Sequence, residues 1–289
     1  MPFVPGSRSE PFWLRATRLV DRLYSAYCAL RDEFALAYVP PEGWRAVVLE
    51  RYSERAPFYQ DEAYQATGLF PWEAEAVARW FPGPPATILV GGAGAGRETL
   101  ALARLGYRVA AFEPTPLLFQ ALRDHLTQAS VEAPIALASY ENLVQALDAP
   151  PTSLQLLCRE KGYDAVVLGL GSFSYCVGAD TRERLLLGLA RLCPQGPILL
   201  SFERHLPATG RAARLARIVR ACLRFTPGSR PVAEGDQLGE TGFEHAFTDH
   251  EIEALARATG YRVAQLRHSP APHAVLVREA DAASQSEPS

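Results

Sequence analysis

The residues with the plainest chemical meaning lie in one short stretch. Ile88-Leu89-Val90-Gly91-Gly92-Ala93-Gly94-Ala95-Gly96-Arg97-Glu98 is an apolar run that ends in alternating glycines. Glycines at such a place let the backbone turn sharply and approach a ligand, and a helix starting there points its free N–H groups at it. A second apolar run ends in Phe112-Glu113-Pro114, 21 residues after Gly92. A carboxylate at that place accepts hydrogen bonds from both hydroxyls of a ribose. Strand, glycines, helix, strand and acid fall in the order that a nucleoside site needs. The spacing then narrows the ligand. A dinucleotide fingerprint wants G-x-G-x-x-G, but the sixth place counted from Gly92 is Arg97, and counting from Gly91 puts Ala93 at the second glycine. As G-x-G-x-G, Gly92, Gly94 and Gly96 fit without a mismatch.

The elements that must position these residues follow from pattern and punctuation. From residue 87 onward, strand-like runs are Thr87–Gly91, Arg108–Phe112, Pro134–Ala138, Asp164–Leu168, Pro197–Phe202, Arg262–Leu266 and His273–Arg278. Helix-like segments near 95–105, 116–128, 152–160 and 180–192 separate the first five. Such alternation implies a parallel sheet covered on both faces. Only His268-Ser269-Pro270-Ala271-Pro272 separates the last two runs, too short for a crossover, so they must pair antiparallel. The fold class is therefore α/β, with a seven-stranded, mostly parallel sheet, an antiparallel last strand and helices on both faces. Thr248 as N-cap, Glu251 three residues on, Phe247 with Ile252 as staple, and Gly260 mark one more crossover helix.

Residues 1–81 carry helical spacing only, with Trp13, Val20, Leu23, Tyr27, Leu30 and Phe34 near one helix face. The expected organisation is an N-terminal helical cap over 1–85, a Rossmann-like domain over 86–279, a substrate-lid insert at 203–247, and a disordered tail at 280–289.

At the glycine loop, the acid and the closing hairpin, the chain resembles the class I (Rossmann-like) family of S-adenosylmethionine-dependent methyltransferases. The resemblance covers about residues 86–279. It implies S-adenosylmethionine as cofactor and S-adenosylhomocysteine as product. It implies that Gly92, Gly94 and Gly96 face the methionine part, that Glu113 holds the ribose, and that Pro114 lies against the adenine. After the third strand the family usually has Gly-Asp, with the Asp on the adenine amino group; here Ser139-Tyr140-Glu141 stands in that place, and Glu141 is the candidate substitute. The backbone at Gly169-Leu170 would lie near the transferable methyl. Val90 occupies the place where the family commonly carries an acid for the cofactor's ammonium group. Glu73, in Phe70-Pro71-Trp72-Glu73, is the expected replacement, with a surface helix glutamate as the plainer alternative. Tyr59 and Tyr64 are pocket candidates, with core packing as theirs.

The reaction implied is in-line displacement by an O or N nucleophile, with a general base needed only for a protonated one. Tyr175, His205 and His245 are the candidates for that role. The acceptor expected is a small molecule. With 29 basic against 32 acidic side chains and a pI near 6.1, no concentration of positive charge suits nucleic acid. Asn-Pro-Pro-aromatic, common in enzymes that methylate bases, is absent, and no Walker-type loop exists, because Lys161 is the sole lysine. No carboxylate cluster suggests a metal. No run of ~18 apolar residues suggests a membrane span. Cys28, Cys158, Cys176, Cys193 and Cys222 are odd in number, never spaced CxxC, and read as buried thiols. The N-terminus lacks a signal-peptide pattern, so a cytoplasmic protein is expected. An NAD(P)-dependent oxidoreductase is the first alternative, disfavoured by the glycine spacing and the terminal hairpin. A non-catalytic nucleotide-binding relative of the fold is the second, suggested by Val90 and Ser139.

Overall fold

The computed structural model describes residues 11–148, 154, 157, 162–206 and 209–278. The chain begins with α1 (Phe12–Tyr38), then α2 (Pro41–Glu54), α3 (Ala56–Gln60), α4 (Glu62–Ala66) and α5 (Pro71–Trp80). Prolines occupy the first turn of α2, α3 and α5, where a missing N–H forfeits no helical hydrogen bond. Strand and helix then alternate: β1 (Thr87–Gly91), α6 (Arg97–Arg104), β2 (Arg108–Glu113), α7 (Pro116–Gln128), β3 (Ile135–Leu137), α8 (Tyr140–Asp148), β4 (Ala165–Leu168), α9 (Ala179–Leu192) and β5 (Ile198–Ser201). After these come β6 (Glu203–Arg204), α10 (Arg211–Leu223), β7 (Asp236–Gly239), β8 (Gly242–Phe247), α11 (Asp249–Ala258), β9 (Tyr261–Arg267) and β10 (His273–Arg278).

Seven strands form one sheet in the order β3-β2-β1-β4-β5-β10-β9. β1 runs parallel to β2 and β4, with Gly91 level with Phe112 on one side and Leu168 on the other. β10 is antiparallel to both β5 and β9, as the short turn before it requires. The strand order reverses between β1 and β4, and in an open α/β sheet the crevice beyond such a switch point is where ligands bind. Period-two alternation gives the sheet its two cores. Leu89, Phe112, Leu168 and Leu200 pack on one face with Leu185, Leu189 and Ile252. Ile88, Val90, Val167 and Leu199 pack on the other with Trp72, Val77 and Leu102. Val90 is fully buried there, so its side chain belongs to the core.

The chain divides into two compact units: residues up to Val39 with 206–234, and Pro40–His205 with the segment from Gly235 on. This division departs from a cap over 1–85 and a separate insert over 203–247. The helices of residues 40–80 belong to the unit that holds the sheet, and so do both ends of the insert. Those ends are ordered strands: β8 pairs parallel with β6 and antiparallel with β7. In the other unit α1 packs against α10, and Arg220 grips Glu33 through Nε and an NH2 group at 2.7 and 2.8 Å. Trp13, Val20, Leu23, Tyr27 and Phe34 of α1 are exposed.

Three further expectations are revised. The β3–β4 connection carries α8, which is not among the expected helical segments; the segment expected as a helix near 152–160 lies largely outside the described residues, and the tail expected at 280–289 wholly so. Thr248 accepts the Glu251 N–H at 3.1 Å as expected, but the Glu251 carboxylate, expected to close the capping box, bonds His245. Cys176 and Cys193 are buried free thiols, whereas Cys28 is half-buried and Cys222 exposed; Cys158 lies outside the described residues. Among the described residues no helix is long and apolar enough to cross a membrane.

Candidate functional site

A cavity of about 520 Å³ opens beyond the carboxyl ends of β1, β2 and β4. The glycine loop after β1 forms its floor, and backbone geometry assigns each glycine a different task. Gly92 has φ +65°, and a Cβ there would meet Ser172 Cβ at 2.8 Å. Gly94 has φ +56° and lines the cavity, and a Cβ on it would stand in open space. Gly96 has φ +101°, and its Cβ would run into Leu122 Cδ1 at 2.8 Å. Gly92 and Gly94 thus face the cavity, while Gly96, expected with them, caps α6 and lets it sit close to α7.

Glu113 ends β2 and lines the cavity although only 4% exposed. Its Oε2 accepts the Gly94 N–H at 2.9 Å and its Oε1 the Thr115 N–H at 2.8 Å. Burial pushes its pKa up, against the pull of those donors. The carboxylate therefore ties the ends of β1 and β2 together and keeps lone pairs for a ligand. Pro114 and Thr115 continue the same wall.

Ser139, Tyr140 and Glu141 all line the cavity at the start of α8. Ser139 is there for a local reason: its Oγ accepts the Asn142 N–H at 3.2 Å, and its own N–H donates to Asn142 Oδ1 at 3.0 Å. That is an N-cap, and it accounts for a serine in the place of an aspartate. The Tyr140 hydroxyl donates to the Gly91 carbonyl at 3.3 Å and bonds Ser172 Oγ at 2.5 Å, and burial raises its pKa far out of range. Glu141 pairs with Arg45 at 3.0 Å. Leu170 lines the cavity beside Ser172. Gly169 stands behind them, where a Cβ would lie 2.5 Å from the Gly92 carbonyl, so it serves the close passage of two chain segments.

Besides Gly96 and Gly169, three expected residues lie elsewhere. Glu73 is 2% exposed, neither a cavity residue nor a surface one. Its two oxygens each take an Arg97 NH2 group at 2.8 Å, and Oε2 also takes the Phe70 N–H at 2.7 Å. His205 uses its backbone N–H on the Phe247 carbonyl and does not line the cavity. His245 is fully buried away from it, with Nδ1 on Asp236 and Nε2 on Glu251, both at 2.7 Å. A ring with both nitrogens bound to carboxylates is a structural clamp between β7, β8 and α11. Tyr175 does line the cavity: its hydroxyl accepts from Thr241 at 3.1 Å, and its ring meets Tyr52 edge-on at 5.4 Å.

Tyr59 and Tyr64 line the cavity too, together with Tyr52, which the sequence reading passed over. Tyr52 and Tyr59 stack at 5.7 Å, and Tyr59 meets Tyr64 edge-on at 5.7 Å. Burial raises the pKa of all three, that of Tyr64 to about 12, so they stand as neutral phenols. Arg97 and Glu98 were also missed. Arg97 is 2% exposed; besides Glu73 it donates to Glu98 Oε1 at 2.6 Å and to the Gly68 carbonyl, and its guanidinium lies 3.9 Å over the Phe70 ring. Burial works against its charge, but Glu73 and Glu98 outweigh that and raise its pKa. Two charged residues directly after the last glycine were the available signal; Arg97 registers in the spacing only as a failed sixth glycine.

A doubly wound sheet of this strand order, closed by one antiparallel strand and carrying its cavity at the β1–β4 switch point, is the fold of the class I S-adenosylmethionine-dependent methyltransferases. No family model and no curated protein matches the chain in sequence. Solved structures do match in fold. One is the 1,6-didemethyltoxoflavin-N1-methyltransferase of Burkholderia thailandensis, solved with 1,6-didemethyltoxoflavin and S-adenosylhomocysteine bound: TM-score 0.55, 17% identity, covering 83% of this chain and 90% of that one. Another is an S-adenosylmethionine-dependent methyltransferase of Methanosarcina mazei, with TM-score 0.50 and 16% identity over 73% of this chain and 96% of that one.

Proposed function

We propose that this protein is an S-adenosylmethionine-dependent methyltransferase acting on a small-molecule acceptor. The observation that carries the reading is the shared wall of the cavity: Gly94 leaves open space where any side chain would intrude, and its N–H holds the Glu113 carboxylate facing that space. Such a cradle fits a nucleoside whose ribose hydroxyls donate to the acid, and the fold relative from Burkholderia thailandensis was solved with a small heterocycle and S-adenosylhomocysteine bound.

When bound, S-adenosylmethionine supplies a methyl group on a positively charged sulfur, open to displacement along the carbon–sulfur axis. The residues here hold the partners in line and keep water out. Glu113 fixes the ribose, and Pro114 with the α8 start at Ser139, Tyr140 and Glu141 bounds the adenine side. Leu170 and Ser172 line the end where β4 delivers the chain. Tyr52, Tyr59, Tyr64 and Tyr175 form an aromatic wall against solvent and acceptor. With His205 and His245 outside the cavity, Tyr175 is the retained candidate for handling an acceptor proton.

The test is incubation of the protein with methyl-labelled S-adenosylmethionine and a cell extract passed through a filter that retains macromolecules. Label transferred to the small-molecule fraction is the expected result. Label that appears only when protein or nucleic acid is restored would overturn the acceptor class.

A further inference from the structure

The ligand of the proposed reaction ends in an amino acid, and a buried ammonium group needs a carboxylate partner. Three carboxylates line the cavity: Glu98, Glu113 and Glu141. Glu113 is bracketed by the Gly94 and Thr115 N–H groups at the end of β2, and Glu141 is paired with Arg45 at the start of α8. Glu98 stands apart from both. It is the second residue of α6, directly behind the glycine loop, and the N–H of Leu170 donates to it from the end of β4. It therefore sits where the loop and β4 meet, while Val90 is turned into the core.

The surroundings of Glu98 hold it in place and leave it short of positive charge. Arg97 reaches it with one NH2 group at 2.6 Å, but the same guanidinium serves Glu73 with two bonds at 2.8 Å and the Gly68 carbonyl. One cation is thus shared by two buried carboxylates, so with both ionised the cluster carries a net negative charge that a cationic ligand group would offset. Arg97 Nε, buried at the same cluster, has no hydrogen-bond partner. Resting on the S-adenosylmethionine reading, we propose that Glu98 is the carboxylate that receives the α-ammonium group of the cofactor. The groups facing it are Arg97 from its own helix, Glu73 from α5, Tyr64 from α4 and the Leu170 N–H after β4.

A consequence for protons follows. Burial pushes the Glu98 carboxyl up to about 7 against the pull of Arg97, and the nearby Glu73 pushes it the same way. An arriving ammonium group favours the ionised form, so binding near neutrality releases on the order of half a proton. Tyr64, at about 12, stays protonated throughout. The affinity for an amino-acid-bearing ligand falls about tenfold between pH 8 and pH 6 as Glu98 takes up its proton.

The experiment is calorimetric titration of the full chain with S-adenosylhomocysteine and with 5′-methylthioadenosine, which keeps the nucleoside and lacks the amino acid. Both are titrated into wild type and Glu98→Gln. The variant should lose tenfold or more in affinity for S-adenosylhomocysteine and stay within twofold for methylthioadenosine. Wild type, run in buffers of different ionisation enthalpy at pH 7, should release protons with the first ligand and not the second, a result that does not depend on the variant folding. If both ligands bind wild type but neither the substitution nor the proton count separates them, Glu98 is not the ammonium partner and the cofactor reading stands. If wild type binds neither ligand, the cofactor reading falls and this proposal falls with it.

Discussion

Replacing Glu113 by Gln removes one charge from the middle of the cavity wall and keeps the side chain's shape. Its two oxygens accept backbone N–H groups at 2.9 and 2.8 Å, so an amide there must turn its NH2 against one of those donors. A buried donor left without an acceptor costs ~1–3 kcal/mol, and the variant should lose about that much stability. Binding should lose more. Hydrogen bonds to a charged acceptor contribute ~1.5–3 kcal/mol each, and the two ribose hydroxyls share this one carboxylate. Losing the charge under both weakens binding by roughly 2–4 kcal/mol, about 30- to 1000-fold in dissociation constant. Titration of S-adenosylhomocysteine into Glu113→Gln reads the second effect, and a melting curve of the free protein reads the first. An affinity within threefold of wild type would refute the assignment of Glu113 to the ribose, whatever the melting curve shows.

Two glycines of the same loop should respond in opposite ways. Gly94→Ala places a methyl in open cavity space and should cut S-adenosylhomocysteine affinity tenfold or more, at the ~1–2 kcal/mol cost of a left-handed alanine. Gly96→Ala adds a clash with Leu122 to that strain and should lower the melting temperature further than Gly94→Ala does, with a smaller loss of affinity; equal behaviour of the two would contradict the division of roles. His245 gives a pH signature of the fold. Burial opposes its charge, but the bonds to Asp236 and Glu251 prevail over that and over nearby Arg182, so its folded pKa is raised. Its contribution is then complete below the unfolded value of about 6.5 and fades as pH rises through the folded value. Urea unfolding of wild type and His245→Gln between pH 5.5 and 8.5 should show their difference shrinking with pH; a difference that grows would reverse the assignment.

What could be read from the sequence was whatever depends on neighbours along the chain. Alternating apolar residues placed the strands, and the turn His268–Pro272 forced the antiparallel closure, because five residues cannot carry a crossover. Glu113 was legible because a strand end and a spacing suffice to define it. Helix α8 was missed because Ser139 was weighed as a failed ligand contact, although a serine with Asn142 three residues on is also a helix start. Glu73 was misplaced because its partner, Arg97, is 24 residues away, and no local pattern announces a buried pair. His245 stood among the candidate bases because its two carboxylates come from β7 and from α11, whose approach no local pattern announces. Glu73 and His245, the residues most misread, both close contacts between elements that lie apart in the chain.

The central claim is that the cavity beyond β1, β2 and β4 is built for S-adenosylmethionine. The most direct test is calorimetric titration of the purified protein with S-adenosylhomocysteine, with NAD⁺ run in parallel. Micromolar, one-to-one binding of S-adenosylhomocysteine with no heat from NAD⁺ is the result this account predicts. Binding of NAD⁺, or of neither ligand, would contradict it.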